Sequence, residues 1–130
     1  MHPIDAEQWL RAYLMQVLGV PVQYTDAELP AGDRVYAQLE LIDRRDGRAL
    51  STATYLYRLT LRSPAETELP LARRQLTYYR RLLDRAFRPV GTLRDASPYA
   101  SLTAELTQVL PTEIEYTLYA EIDHANDDHA

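Results

Sequence analysis

Between residues 6 and 18 the apolar positions Trp9, Leu10, Tyr13, Leu14, Val17 and Leu18 recur at three- and four-residue intervals. That spacing lines one side of a helix, so a first amphipathic helix is predicted from about Ala6 to Leu18. Asp5 is placed to cap it, with Gln8 in the position of a capping-box partner. Gly19 is placed to end it, and Pro21 prevents its continuation. Val20-Pro21-Val22 reads as a short edge strand, followed by an acidic loop, Tyr24-Thr25-Asp26-Ala27-Glu28-Leu29-Pro30-Ala31-Gly32-Asp33.

The period then changes to two. Val35, Ala37, Leu39 and Leu41 alternate with Tyr36, Gln38 and Glu40, which predicts a half-buried strand over Val35–Ile42. Polar residues follow, and Asp46-Gly47 carries a hairpin signal. A second strand is expected over about Ser51–Arg62. It places Ala53, Tyr55, Tyr57, Leu59 and Leu61 on one face and Thr54, Arg58, Thr60 and Arg62 on the other, with Leu56 interrupting the polar face. The two strands should be antiparallel neighbours.

Ser63-Pro64-Ala65-Glu66 resembles a helix start, but Pro70 comes too soon for one uninterrupted helix. A short turn at 64–68 and a main helix over about Pro70–Phe87 are therefore predicted. In this helix Leu71, Leu76, Tyr79, Leu82, Leu83, Ala86 and Phe87 are assigned to the buried half of the wheel. Arg73, Arg74, Arg80, Arg81, Arg85 and Arg88, with Asp84 among them, are assigned to the other. A twelve-residue connection, Arg88–Tyr99, is long for a compact domain and favours a binding loop or arm. Two more strands are predicted, about Ser101–Val109 and Glu113–Ile122, joined by Leu110-Pro111-Thr112. The last puts Ile114, Tyr116, Leu118, Ala120 and Ile122 on one face and Glu113, Glu115, Thr117, Tyr119 and Glu121 on the other. The order predicts a single α+β domain over 1–122, with a mainly antiparallel sheet of about four or five strands and two helices on one face. Residues 123–130 read as a flexible acidic tail.

The chain has 130 residues, of which 46% are hydrophobic and 25% charged, a globular composition able to bury its own core. With no cysteine, disulfides, zinc–thiolate sites and thiol catalysis are excluded. No apolar run approaches the roughly 18 residues of a membrane span. Met1-His2-Pro3-Ile4-Asp5 lacks the basic start and apolar run of a secretory signal, so a soluble, intracellularly made protein is expected.

Charge is unevenly distributed. Residues 1–42 hold two Arg against six acids, 43–95 hold twelve Arg against six, and 96–130 hold seven acids and no Arg, for a net −5. Such polarity suits subunits meeting head to tail better than a uniform nucleic-acid-binding face. All fourteen basic residues are arginine, which a GC-rich genome accounts for.

Few constellations suggest chemistry. Asp123, His124, Asp127, Asp128 and His129 are metal-ligand types, but their spacing matches no known site and a solvated tail is the better reading. Glu113, Glu115 and Glu121 share a strand face without an apolar pocket, histidine or nucleophile, so a solvated or channel-lining acidic surface is expected rather than acid–base catalysis. The arginine helix face is solvated or a subunit or partner contact made through carboxylates; direct nucleic-acid binding ranks below both. Isolated glycines supply no phosphate-cradling loop. Of the ten tyrosines, Tyr13, Tyr55, Tyr57, Tyr79 and Tyr116 fall at core positions. Tyr24, Tyr36, Tyr78, Tyr99 and Tyr119 fall in loops or on outward faces, where tyrosine's apolar ring and polar tip suit an interface. No nucleophile–base pair or metal signature points to an enzyme, and no cofactor is implied.

One family shares this arrangement. The first helix ending in Leu18-Gly19-Val20-Pro21-Val22, the strand pair entered through Val35-Tyr36-Ala37-Gln38-Leu39, the helix Leu71–Phe87, the long loop and the closing strand Ile114-Glu115-Tyr116-Thr117-Leu118-Tyr119 together resemble the tail terminator and neck proteins of tailed bacteriophages. The resemblance spans nearly the whole chain and concerns size and order of elements. It implies a structural virion protein of the tail neck, made in the host cytoplasm, that forms a homo-hexameric ring. Such a ring caps the tail tube protein and docks a head-completion or connector protein, without catalysis or cofactor, while DNA passes through the lumen unbound. Under it, Glu113, Glu115 and Glu121 are candidates for the lumen lining. Arg73, Arg74, Arg80, Arg81, Arg85, Arg88, Tyr24 and Tyr99 are candidates for partner or subunit contact, and loops 23–34 and 88–100 for axial docking. The rival is a small acidic type III secretion chaperone, a dimer that binds an unfolded effector segment; such chaperones usually close on a helix, whereas 113–122 alternates as a strand.

Overall fold

The computed structural model describes residues 3–24, 34–47, 51–64, 67–87 and 98–123. Helix α1 (Pro3–Leu18) leads to β1 (Val22–Tyr24), then β2 (Tyr36–Asp46), β3 (Thr52–Arg62), α2 (Leu69–Ala86), β4 (Ser101–Val109) and β5 (Glu113–Asp123). The strands form one sheet in the order β1-β2-β3-β5-β4. Only β1 and β2 run parallel; the other neighbours are antiparallel. The chain is an α+β fold.

The end of α1 follows from Gly19. Its φ of 68° lies in the left-handed region, and its N–H donates to the Met15 carbonyl at 2.8 Å. An added Cβ would meet nothing within 4 Å, so glycine serves the backbone conformation here and no tight contact. Pro21 then accepts the Ala37 N–H at 2.9 Å, which opens the β1–β2 pairing. The Arg11 guanidinium donates to the Val22 carbonyl at 2.6 Å and ties the helix to that edge.

The core lies between one sheet face and the helices. Ala37 and Leu39 of β2, Ala53, Tyr55, Tyr57, Leu59 and Leu61 of β3, and Ile114, Tyr116, Leu118, Ala120 and Ile122 of β5 are all buried on it. Ala6, Leu10, Leu14 and Leu18 of α1 and Ala72, Leu76 and Leu83 of α2 are buried opposite. The central β3 is buried along nearly all its length because both its neighbours, β2 and β5, pair with it over many residues.

Two expectations are corrected. The strand predicted to stop at Ile42 continues to Asp46, through a β-bulge between Leu41 and Asp43. The bulge breaks the two-residue alternation that marked the strand, while the ladder to β3 carries on through Arg44 and Arg45 regardless of side-chain polarity. The Gly47 N–H then donates to the Thr52 carbonyl at 2.9 Å, and a side chain at Gly47 would run into Thr52. Second, Leu71 is half exposed, and the buried stripe of α2 runs instead through Ala72, Leu76 and Leu83. At about 100° per residue Leu71 stands roughly 140° from Leu76, outside the stripe, whereas small Ala72 stands within about 40° of it. The helix itself begins as expected near Pro70, where the missing N–H costs nothing.

Candidate interaction surfaces

The arginines of α2 do not form one face. Arg74, Arg81 and Arg85 stand roughly 140–180° from Leu76 and point away from the sheet, but Arg73 and Arg80 stand only about 60° and 40° from it. All five are exposed; Arg88 lies outside the described residues. Arg73 and Arg80 border a groove of about 240 Å³ between α2 and the β4–β5 turn, lined also by Leu76, Thr77, Val109, Leu110, Pro111 and Ile114. Val109 and Leu110 are exposed there, 57% and 39%, so apolar surface faces solvent between two guanidinium groups. Among the described residues no carboxylate lines the groove. On its inner side the buried Tyr116 hydroxyl donates to Asp84 Oδ1 at 3.5 Å, and Arg80 shares this contact. Burial, and then the Asp84 charge, push the Tyr116 phenol well up. In the sequence Leu110-Pro111-Thr112 reads only as a turn. The run Val109-Leu110-Pro111, apolar at an exposed hairpin, was the available signal for the groove.

The sheet face away from the helices carries the three candidate glutamates, as the alternation of β5 requires. Two of them are ion-paired: Glu113 to Arg62 at 3.1 Å and Glu115 to Arg58 at 3.3 Å, with Arg58 reaching Glu40 at 3.9 Å on the other side. Thr107 donates to Glu115 from β4 at 3.1 Å. These side chains surround a shallow cavity of about 130 Å³ over Gln38 and Thr60, both buried beneath them. The third, Glu121, lies further along β5 opposite Thr54 and Ser101. Glu105 accepts the Tyr119 hydroxyl at 3.1 Å, and that carboxylate raises the phenol. Across the face seven carboxylates (Glu40, Asp43, Glu105, Glu113, Glu115, Glu121, Asp123) stand, among the described residues, against three guanidiniums, Arg45, Arg58 and Arg62. The surface remains acidic after pairing, but the glutamates are members of a cross-strand lattice rather than free charges.

Tyr24 and Tyr99 separate. Tyr24 is half-buried at the β1 edge with the Arg11 guanidinium 5.6 Å from its ring centre, so it stays within reach of a partner. Tyr99 does not serve as a contact residue. It is 6% exposed, meets Trp9 edge-on at 6.0 Å between ring centres, and directs its hydroxyl to Tyr57. The long connection before it made Tyr99 look like loop; in the fold it is a core anchor that starts β4 beneath α1. Burial holds the Tyr57 and Tyr99 phenols far above the ordinary tyrosine range, and the nearby Glu7 adds to this.

Among the described residues no group of three or more His, Cys, Asp or Glu is arranged to hold a metal ion. His124, Asp127, Asp128 and His129 lie outside them, as does most of loops 23–34 and 88–100. No helix among the described residues is long and apolar enough to cross a membrane. No protein-family model matches the chain, and no curated protein sequence matches it.

Proposed function

We propose that this chain is a structural subunit of a phage tail neck, a terminator-type protein that assembles into a hexameric ring between the tail tube and a head-completion or connector protein, in the virion and before that in the host cytoplasm. The observation that carries the reading is the two-sidedness of the sheet. Both helices cover one face, and the described residues leave the other uncovered, with an acidic surplus fixed by Arg58 and Arg62. Such a face, turned to the axis of a ring, repels a DNA phosphate backbone and lets the duplex slide without being held. The arginine-rich α2 on the opposite side is then available for neighbouring proteins. The order of elements in the fold follows the order on which the sequence resemblance rests, including a closing strand, β5, where the rival chaperone type usually has a helix.

Native mass spectrometry and negative-stain electron microscopy of the protein, alone and after mixing with purified tail tubes, test the reading. Six-fold rings, in solution or at one end of the tubes, support it. A stable dimer that captures an unfolded secreted segment and ignores the tubes would replace it with the chaperone.

A further inference from the structure

We infer that the outward side of α2 is a heptad seam that docks an acidic amphipathic helix of a neighbouring protein. The inference deepens the ring reading by naming the surface that meets a neighbour, while the seam itself rests on α2 alone. The helix repeats every seven residues, Leu71-Ala72-Arg73-Arg74-Gln75-Leu76-Thr77 against Tyr78-Tyr79-Arg80-Arg81-Leu82-Leu83-Asp84. Burial splits the repeat. Ala72, Leu76 and Leu83 are turned to the sheet, and Arg73 and Arg80 border the groove beside it. The outward set is Leu71, Arg74, Tyr78, Arg81, Leu82 and Arg85. It falls within an arc of roughly 100° and runs for about 21 Å along the helix. Leu71 and Tyr78, one heptad apart, are 50% and 58% exposed.

Charge and period together define the occupant. On the sheet, Arg44, Arg45, Arg58 and Arg62 are each paired with a carboxylate, whereas among the described residues no acid pairs with Arg74, Arg81 or Arg85. Asp84, the acid of the second heptad, is engaged from the sheet side by the Tyr116 hydroxyl. The seam therefore interleaves three uncompensated guanidiniums with two leucines and a tyrosine, side chains of which Arg and Tyr are enriched where proteins meet. A straight stripe with a seven-residue period is matched by a second helix carrying heptads of its own. That helix must set apolar side chains against Leu71, Tyr78 and Leu82, and Asp or Glu against the arginines. The α2 of a second copy does not qualify, because it would set arginine against arginine. Nucleic acid and anionic membranes offer charge alone, and the chain's net −5 opposes their approach.

The test is a dye-labelled synthetic helix of three heptads, with leucine at the core positions and glutamate beside them, titrated with the full-length protein and read by fluorescence polarisation. It should bind saturably, and a scrambled peptide of the same composition should bind at least about tenfold more weakly. Arg74→Glu/Arg81→Glu should weaken binding by about tenfold or more and Tyr78→Ser by about fivefold or more. Arg73→Glu/Arg80→Glu, which alters net charge equally, should weaken it by no more than about threefold. Circular dichroism of each variant verifies the fold. No binding of the glutamate helix, equal binding of the scrambled peptide, or equal loss in both arginine pairs overturns the seam. Phosphatidylserine vesicles or a short single-stranded oligonucleotide held more tightly than the helix, through the same arginines, would also overturn it and assign the stripe to lipid or nucleic acid. Six-fold rings that disappear in Arg74→Glu/Arg81→Glu would make the stripe a subunit contact, overturning the inference and leaving the ring reading standing. Helix binding by a chain that never forms a ring would uphold the seam and remove the ring.

Discussion

Raising the pH should unfold this protein through three of its tyrosines. Tyr57, Tyr99 and Tyr116 are at most 6% exposed, and burial raises all three phenols well above the ordinary tyrosine value of 10.0. In the unfolded chain they ionise near 10. Below that pH both states hold the protons and nothing is gained or lost. Above it the unfolded state releases protons that the folded state keeps, so stability falls as pH rises. Each group removes up to about 1.4 kcal/mol per pH unit, and three together about 4 kcal/mol per unit. A domain stable by about 5–15 kcal/mol would therefore unfold cooperatively one to four pH units above that point. The assay is a paired titration: phenolate absorbance counts ionised tyrosines, while far-ultraviolet circular dichroism and urea midpoints follow the fold. The tyrosines that ionise before unfolding should exclude these three, whose phenolate signal should appear only with the loss of dichroism. Tyr99→Phe should reduce the limiting slope by about a third. If all ten tyrosines ionise in a single step near pH 10 while the dichroism stays native, the burial argument for this cluster fails.

Three further outcomes follow from the fold. Leu76→Ala should cost about 2–5 kcal/mol in urea denaturation and Leu71→Ser less than about 0.5, since only Leu76 is buried. Gly19→Ala should cost about 1–2 kcal/mol in the same assay because its φ is 68°. Burial raises the Glu7 carboxyl above the ordinary glutamate value of 4.5, so its charge opposes folding at neutral pH; Glu7→Gln should raise the thermal midpoint at pH 7, and the gain should vanish below about pH 4.

The strands were legible because alternation survives in three of the long ones. Ser101–Val109 lies where the period of two placed it, and the inward set of β5 was read residue by residue. The α1 stripe and its Gly19 stop were equally plain, since a single face is buried and the stop has a backbone cause. What escaped has physical reasons. The bulge at Ile42 hides the second half of β2 from any periodic reading. On α2 the buried stripe is narrow and contains an alanine, so a half-wheel assignment wrongly admitted Leu71 and placed Arg73 and Arg80 with the solvent-facing arginines. Tyr99 follows a long polar connection, and only the tertiary structure shows that it inserts beside Trp9 and Tyr57. The glutamates of β5 were placed on the correct face, but their pairing with Arg58 and Arg62 depends on β3 lying next to β5, an adjacency not given by local pattern.

The central claim is that this chain builds a ring at a head–tail junction. Electron microscopy of native particles decorated with antibody against the chain addresses it most directly. The account predicts label confined to the joint between tail and head, with averaged density showing six copies around a channel faced by the β5 glutamates. Particles that carry no label at that joint, or averages in which the helices face the channel, would contradict it.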